Sequence, residues 1–351
     1  MTAIGRAGQT NALGMSVIIP THNRATLVAR AVASALRAVA PGDEIIVVDD
    51  GSTDDTTGVL AQFGDRIQLL RISNRGPGAA RNHGIDRATR PLIAFLDSDD
   101  EWLPGKLELQ RAVMSSFPQV VFAFTKFAVH DDESGRDFAD GLANMWLESP
   151  PPWTDVLGEG HFFSSIASLP EGCADFAVHV GDLYEPLLER MYVAASTAVV
   201  RRELAGSALR FAEDLRICED WFCFGSLARL GPAAYLDAAT VLNHGHAGPR
   251  LTGEQGQLGL VSARIAIIER LWGKDERFLV SGEGRYQRVL GAQYAARARW
   301  LISHGRMREA RADLRLAGES PASVRLLSML PGRLAHGLGA ARRSLLRLRR
   351  A

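Results

Sequence analysis

Short apolar runs rich in β-branched residues recur through the first 125 residues, and Gly, Pro, Asp or Asn follows each of them. This pattern is typical of strands buried in a parallel sheet. The predicted strands are residues 16–19, 44–48, 67–72, 91–96 and 120–124. Between them, helical patterns predict helices at 27–39, 56–63, 78–88 and 104–115. The alternation predicts a doubly wound, mostly parallel α/β sheet with flanking helices.

The pattern becomes irregular between residues 130 and 182, which include an acidic run and three consecutive prolines. Regular elements return with a helix at 183–190, a strand at 192–200, a helix at 220–230 and a strand at 234–241. From Leu258 onward the pattern is helical. We therefore expect a flexible N-terminus at 1–14, a first subdomain at 15–128, a second at 129–255 with an irregular insertion at 130–182, and a helical C-terminal region at 256–351.

Composition narrows the class of protein. The 351 residues contain 40 Lys and Arg against 40 Asp and Glu, so the formal net charge is zero. This balance argues against a chain that is basic throughout and coats nucleic acid, and we expect no nucleic-acid partner. Three cysteines encode neither a disulfide framework nor a zinc site. With no secretory signal and no apolar run long enough to span a bilayer, the sequence predicts a cytoplasmic protein.

Four of the five early strands end in polar segments. In open α/β sheets, ligands bind beyond the carboxyl ends of the strands, so we expect these segments to form one site. The segments are 20–24 (Pro-Thr-His-Asn-Arg), 49–54 (Asp-Asp-Gly-Ser-Thr-Asp), 74–82 (Asn-Arg-Gly-Pro-Gly-Ala-Ala-Arg-Asn) and 97–100 (Asp-Ser-Asp-Asp).

The acidic segment 97–101 carries four carboxylates in five residues. Such a cluster repels itself unless solvent or a cation relieves it, and hard oxygen ligands suit Mg²⁺ or Mn²⁺. On an extended segment Asp97 and Asp99 face the same side, which favours a shared ligand. The alternative is an acidic loop in which Asp100 caps the helix that Pro104 opens.

The next two segments also have two interpretations each. Asp49 and Asp50 either form an ordinary turn before a helix or accept a hydrogen bond from a nucleobase or ribose. Gly78 and Arg81 either begin a helix with a surface arginine or form an anion site suited to a diphosphate. The glycine pattern fails as a dinucleotide fingerprint because it lacks the third glycine and does not follow the first strand.

Two later segments carry candidate chemistry. Glu219 and Asp220 precede two aromatic residues, and either cap a helix or act as a base near an apolar acceptor site. His244 and His246 follow a predicted strand, as metal ligands or as loop residues.

Taken together, these segments resemble glycosyltransferase family 2, a group of inverting enzymes with the GT-A fold. The matching pieces occur in the family's order. They are residues 16–24 (SVIIPTHNR), 48–54 (VDDGSTD), 74–84 (NRGPGAARNHG), 95–100 (FLDSDD) and 219–221 (EDW).

The resemblance implies a role for each matching residue. The nucleotide pocket would be lined by Pro20, Thr21, Asn23, Asp49 and Asp50. Gly78 and Arg81 would lie beside the ribose or diphosphate. Asp97 and Asp99 would form the DxD motif, with Asp99 as the more direct metal ligand and His246 near the metal and diphosphate. Asp220 would be the catalytic base, supported by Glu219. The sequence departs from the family pattern at His22, where Tyr is commoner, and at His244, where Arg is frequent.

The resemblance implies a metal-dependent, inverting transfer of a sugar from a nucleoside-diphosphate sugar, which we expect to be UDP-linked. The acceptor would be a hydroxyl of a saccharide, a lipid-linked acceptor or another acceptor. Such reactions occur in the synthesis of cell-surface polysaccharides or glycoconjugates. Two alternatives stay open: a non-catalytic nucleotide-sugar-binding protein of the same fold, and a sugar nucleotidyltransferase. The nucleotidyltransferase would normally carry a basic, glycine-rich loop where this chain has Thr21, His22 and Asn23.

The C-terminal segment 321–351 contains seven arginines and no acid, interspersed with leucines. A basic amphipathic helix of this kind either lies on anionic lipid or docks on the protein with its arginines in solvent. The first interpretation predicts peripheral contact with the inner face of the cell membrane.

Overall fold

The structure is a computed structural model that describes residues 13–131, 134–143, 150–245 and 251–318, with side chains in the last range described from Gly256 onward. The chain divides into two compact units. The first comprises Met1–Asp214 and Cys223–Gly248, and the second comprises Leu215–Phe222 and Pro249–Ala351.

The strands of the first unit form one sheet. They are β1 (Met15–Thr21), β2 (Glu44–Asp50), β3 (Gln68–Ile72), β4 (Leu92–Phe95), β5 (Asp100–Trp102), β6 (Phe122–Asp131), β7 (Arg136–Phe138), β8 (Gly160–Phe162), β9 (Ala177–Gly181), β10 (Val199–Arg201) and β11 (Ala233–Gly245). The order across the sheet is β3-β2-β1-β4-β10-β6-β11-β9-β8, with β5 paired to β11 and β7 to β6.

Helices connect and flank these strands. They are α1 (Val28–Ala38), α2 (Thr56–Ala61), α3 (Pro77–Arg87), α4 (Lys106–Ser116), α5 (Trp153–Leu157), α6 (Tyr184–Glu189), α7 (Arg202–Ala205) and α8 (Glu219–Ala228), of which α8 begins in the second unit's segment and ends in the first. The predicted succession of strands and helices through residue 125 is thereby confirmed, except that the sequence pattern did not predict the short strand β5.

Strand direction brings the polar segments to one edge of the sheet. β1 runs parallel to β2 and β4, and β2 runs parallel to β3. β10 is antiparallel to both β4 and β6, so those two strands run the same way, and β11 is parallel to β6. The carboxyl ends of β1, β2, β3, β4, β6 and β11 therefore meet at the same edge.

The structure corrects several predicted elements. The predicted strand at 192–200 is wrong except for its end, because Ala195–Thr197 forms a 3₁₀ turn in which the Thr197 hydroxyl donates to the Ala194 carbonyl. β3 lies at the edge of the sheet and is half-exposed, whereas its apolar residues suggested a buried strand.

The start of the fourth helix also differs from the prediction. α4 begins after Gly105, which has φ 84°, and Asp100 belongs to β5. The alternative in which Asp100 caps that helix is therefore wrong.

The segment 130–182 is more regular than the sequence pattern predicts. It contains β7, α5, β8 and β9, and the last two strands extend the sheet beyond β11. β8 pairs antiparallel with β9 over only three residues, which is too short for a clear alternation in the sequence. The strand predicted at 234–241 continues as β11 to Gly245.

The second unit contains the helices α9 (Leu251–Leu271), α10 (Glu276–Ser303) and α11 (Met307–Leu316), which confirms the helical C-terminal region. α9 is interrupted at Gly256, where φ is 60°. The Asp275 carboxylate caps α10 by accepting from the N–H groups of Arg277 and Phe278. Within the described ranges, no helix has both the length and the apolar character needed to span a bilayer. The basic segment 321–351 lies outside the described residues.

Candidate functional site

Asn23 joins the loops that follow β1 and β2. Its backbone N–H donates to the Ser52 hydroxyl at 2.9 Å, and its side-chain oxygen accepts from the Thr53 N–H at 2.8 Å. The residue has φ 51°, a left-handed conformation that Asn tolerates better than most residues. Pro20 and Thr21 are the last two residues of β1, so Asn23 connects the loop that follows them to the loop that follows β2.

Asp49 and Asp50 are both buried at the end of β2. The Asp50 carboxylate accepts the backbone N–H groups of Arg75 at 2.8 Å and Gly76 at 2.7 Å. Asp49 accepts the Ser52 N–H at 2.9 Å and the Thr57 hydroxyl at 3.2 Å. Both carboxylates therefore organise the loops, as the turn interpretation expects, and contact of either with a nucleotide remains a prediction.

His22 faces the loop that follows β3. Its Nδ1 lies 2.8 Å from the Asp50 carbonyl oxygen, and its Nε2 lies 3.1 Å from the Asn74 amide nitrogen. Because a carbonyl only accepts and the amide NH₂ only donates, this pattern assigns the proton to Nδ1. Next to it, the Thr21 hydroxyl is buried and finds no hydrogen-bond partner among the described residues. A buried hydroxyl without a partner at a strand end is a position where a ligand atom would be favourable.

Arg81 points from α3 towards the end of β4. Its guanidinium donates to Asp97 Oδ1 at 2.5 Å and lies 5.0 Å from the centre of the Phe211 ring. The arginine is buried, so its charge is set in place by the carboxylate and the ring. Gly78 lies one turn earlier, where a Cβ would stand 3.1 Å from the Ala212 carbonyl oxygen. Close packing of the backbone at Ala212 is thus one reason for that glycine.

Asp97, Asp99 and Asp100 form a carboxylate cluster beyond β4. Asp100 is buried and accepts from the Asn243 amide at 2.7 Å and from the Ser196 hydroxyl. Burial raises the pKa of Asp100 well above its ordinary value, and the nearby charges of Asp99 and Asp97 raise it further. The mutual repulsion of these carboxylates is the kind of strain that a bound cation relieves.

Two arginines from the β1–α1 side also reach this cluster. The Arg24 guanidinium lies 4.0 Å from the Asp99 carboxylate, and the Arg30 guanidinium donates to the Asp99 carbonyl at 3.1 Å. The sequence motifs indicated a role for neither Arg24 nor Arg30. Ser196 was also missed, because no pattern in the sequence signals that a residue nearly a hundred positions later donates to the Asp97–Asp100 turn.

The carboxylate donors fit a magnesium-like ion. Such ions are usually held by one or two carboxylates together with waters and substrate phosphates. Side chains of Asp97 and Asp99 are 34% and 29% exposed, so both can reach a bound ion. In the described part of the chain, no group of three or more His, Cys, Asp and Glu side chains is arranged to hold a metal by itself.

The predicted histidine loop is only partly described. His244 lies within β11, not after it, with Nε2 3.4 Å from a Glu101 carboxylate oxygen. Its ring centre is 6.2 Å from that of His130 on the neighbouring strand β6. His246 lies outside the described residues.

Glu219 and Asp220 form the first turn of α8, where acids interact favourably with the helix dipole. Asp220 Oδ1 accepts the Trp221 N–H at 2.8 Å, and the Trp221 ring centre is 6.2 Å from that of Trp272. The preceding Cys218 has φ 59°, and burial followed by the Asp220 charge raises its thiol pKa to about 12. This geometry agrees with the cap interpretation, and a role for Asp220 as a base remains a prediction.

The sheet, its flanking helices and the site at its carboxyl edge define a protein of the GT-A fold class. The structure of TarS residues 1–349 from S. aureus in complex with UDP-GlcNAc has this fold, with a TM-score of 0.53 at 16% sequence identity over 86% of this chain and 88% of that one.

Residues 16–152 match the family described as glycosyl transferase family 2. The succinoglycan biosynthesis protein ExoU of Rhizobium meliloti (strain 1021) is 48% identical over 95 residues, which are 26% of this chain and 28% of ExoU. The chain thus spans less than a third of that relative. ExoO of the same organism, also a succinoglycan biosynthesis protein, is 28% identical over 90% of this chain and 84% of its own length.

Proposed function

We propose that this protein transfers a glycosyl residue from a nucleoside-diphosphate sugar to a hydroxyl group during synthesis of a cell-surface polysaccharide. The observation that carries the proposal is the meeting of Asp97, Asp99 and Arg81 at the edge where the β1 and β2 loops also lie. The match of residues 16–152 to glycosyl transferase family 2 and the similarity to two succinoglycan biosynthesis proteins support the same reaction.

We further propose that the donor is a UDP-sugar, the class of ligand named for TarS. The buried Thr21 hydroxyl and the loops held by Asn23, Asp49 and Asp50 would surround the nucleoside. Arg81, fixed against Phe211, would pair with the diphosphate, and the free N–H groups at the start of α3, near Gly78, would add to that attraction.

Asp97 and Asp99 would hold Mg²⁺ or Mn²⁺, with His246 nearby. The ion would stabilise the charge that develops on the diphosphate as it leaves. Asp220 would take the proton from the acceptor hydroxyl, with Glu219 keeping that carboxylate in position. The acceptor oxygen would form its bond to the anomeric carbon while the bond from that carbon to the diphosphate breaks. A single displacement of this kind inverts the configuration at the anomeric carbon.

The acceptor would be a saccharide, free or lipid-linked, and the protein would work in the cytoplasm at the inner face of the cell membrane. The lipid-linked form is supported by the leucine- and arginine-rich segment at residues 321–351.

A binding and turnover experiment tests the proposal. We expect calorimetric titration with UDP-, GDP- and dTDP-sugars in the presence of Mn²⁺ to give binding of the UDP-sugars. Release of UDP in the presence of acceptor should stop when EDTA is added and resume with excess Mn²⁺. Binding without turnover on any saccharide acceptor would favour a non-catalytic nucleotide-sugar-binding protein, and formation of pyrophosphate would favour a nucleotidyltransferase.

A further inference from the structure

A second group of charged side chains lies level with Asp97 along the direction of the strands. Ala94 on β4 pairs with Val199 on β10, and Val199 pairs with Ala123 on β6. Asp97 and Lys126 each lie three residues beyond these paired positions. Two strand spacings therefore separate them across the sheet, or about 10 Å.

Asp97 and Lys126 also lie on the same face of the sheet. The ring of Phe95 packs against Phe211 at 5.1 Å between centres, Phe211 against Phe224 at 6.4 Å, and Phe224 against Phe122 at 5.5 Å. Phe95 and Phe122 thus face one aromatic layer. Side chains alternate along a strand, so Asp97, two residues after Phe95, and Lys126, four residues after Phe122, point to that face. The contact of Arg81 with both Asp97 and the Phe211 ring agrees with this assignment.

Lys126 forms an ion pair with Asp237 on β11. The ammonium lies 2.5 Å from Asp237 Oδ1, and the two side chains are 25% and 38% exposed. The pairing of β11 with β6 shifts register between Leu236 and Ala239, an irregularity that redirects side chains. The Tyr235 hydroxyl donates to the same carboxylate oxygen at 3.1 Å. Three ammonium protons and two carboxylate oxygens leave both charged groups with capacity for further hydrogen bonds.

A group of packed aromatic side chains lies beside this ion pair. Trp153, on the short helix α5, stacks on Tyr235 with ring centres 3.6 Å apart. Tyr192 and Phe124 lie 5.6 Å and 5.7 Å from the Trp153 ring. Tyr235 is buried, whereas Trp153 is half-buried. The stack of Trp153 on Tyr235 therefore lies beside a partly exposed ion pair, to which the Tyr235 hydroxyl is hydrogen-bonded.

We propose that Lys126, Asp237 and Trp153 form a subsite for a pyranose ring. Neighbouring hydroxyls of such a ring can donate to the Asp237 carboxylate and accept from the Lys126 ammonium, while its C–H face rests on the indole. A few convergent polar groups beside an apolar wall are the usual composition of a small-molecule site. This inference rests on the proposed function, since the ring would belong either to the sugar of the donor or to the acceptor.

The test compares Lys126→Met and Asp237→Asn with the wild-type protein. Both changes keep the size of the side chain and remove its charge. Asp86→Asn is the matched control, because Asp86 forms a surface ion pair with Arg210 at 2.5 Å and lies on α3, away from the proposed subsite. Thermal unfolding of each variant establishes that it is folded.

Two measurements in the presence of Mn²⁺ distinguish the two sources of the ring. Calorimetry gives the Kd of UDP, UDP-glucose, UDP-galactose and UDP-GlcNAc, and saturation-transfer NMR gives binding of methyl pyranosides to the UDP complex. A donor subsite predicts a loss of about tenfold or more in UDP-sugar affinity with UDP unchanged, the effect expected for hydrogen bonds to charged groups. An acceptor subsite predicts unchanged nucleotide binding and a matching loss of the methyl pyranoside signal.

The subsite is refuted if both folded variants bind every UDP-sugar and every methyl pyranoside within twofold of the wild-type and Asp86→Asn proteins. It is equally refuted if the wild-type protein binds UDP, but binds no UDP-sugar more tightly than UDP and gives no signal with any methyl pyranoside. Failure of the wild-type protein to bind UDP or any UDP-sugar is a different result, which rejects the proposed UDP-sugar donor itself.

Discussion

At the scale of single residues, the buried side chains of Lys106 and Gln110 stabilise the turn that contacts the carboxylate cluster. Lys106 is completely buried, with its ammonium donating to the Gln110 side chain and to the Thr197 carbonyl, 4.8 Å from the centre of the Trp102 ring. Gln110 in turn donates to the carbonyls of Ala123 and Thr197. These bonds hold the turn that carries Ser196, which donates to the carboxylate cluster.

Burial lowers the pKa of Lys106 well below its ordinary value, and this gives stability a specific pH dependence. Between the folded-state pKa and the ordinary value near 10.5, the unfolded chain binds more protons at this position than the folded chain does. The contribution of Lys106 to the free energy of unfolding therefore rises as the pH is raised through that window. Urea unfolding at pH 7 and pH 9.5 should show that the wild-type protein gains stability relative to Lys106→Met over this interval. An equal change in both proteins would contradict the lowered pKa.

Asp220 offers a residue-scale test of the proposed base. Asp220→Asn keeps an oxygen for the Trp221 N–H but removes the group that takes the proton. We expect the transfer rate to fall by about 10²- to 10⁴-fold, while the Kd of the sugar donor stays within twofold. Steady-state kinetics with calorimetry provides both numbers. Weakened donor binding with transfer retained would show that the assignment is wrong.

At the scale of elements, α3 lies closely against β1 because Gly84 has no side chain. A Cβ at this position would lie 2.5 Å from Cγ2 of Ile18 in the middle of β1. The helix that carries Arg81 is therefore positioned by a helix–strand contact that any larger residue disturbs. Overpacking of this kind usually costs more than the helix propensity that alanine supplies.

Gly84→Ala should reduce the free energy of unfolding by about 1–3 kcal/mol. Gly284→Ala is the control: this glycine lies exposed on α10, where no atom comes within 4 Å of an added Cβ, and the change should stabilise by about 0.5–1 kcal/mol. Denaturant unfolding of both variants measures the two effects. Stabilisation by both changes would contradict the close approach of α3 to β1.

At the scale of the whole molecule, a net charge of zero conceals an uneven distribution. Carboxylates gather beyond β4, where three arginines lie close to them, whereas the segment 321–351 carries seven arginines and no acid. Segments of this composition associate with anionic lipid surfaces in a salt-dependent way. The charge distribution thus predicts a membrane-binding segment separate from the carboxylate site.

Vesicle co-sedimentation tests this prediction with the full chain and a chain that ends at Gly318. Vesicles that contain phosphatidylglycerol should bind the full chain at low salt and release it at high salt, while vesicles of phosphatidylcholine alone should bind neither form. The shorter chain should stay in the supernatant. Equal binding of the two chains would show that the segment 321–351 does not bind the membrane.

Much of the fold was predictable from the sequence because its signals are local. Each of the first four strands is a short apolar run, each is followed by a helical pattern, and the polar residues after the strands are consecutive in the chain. The strand predicted at 192–200 was wrong because Ala195–Thr197 forms a turn, in which the Ser196 hydroxyl accepts the Asp97 N–H. That contact joins residues about a hundred positions apart, so no local pattern signals it. β8 and β9 were missed because each gains its stability from the edge of a sheet already present.

The sequence by itself determined the class of fold, the edge where the polar loops meet and the family that the chain resembles, since these depend on periodicity and on contiguous motifs. Only the tertiary structure decided that Asp50 binds the backbone of the β3–α3 loop, that Arg81 is fixed between Asp97 and Phe211, and that Lys126 shares a sheet face with Asp97. Those relations depend on strand order and register. Both are set by the packing of residues far apart in the chain, and no local pattern encodes them.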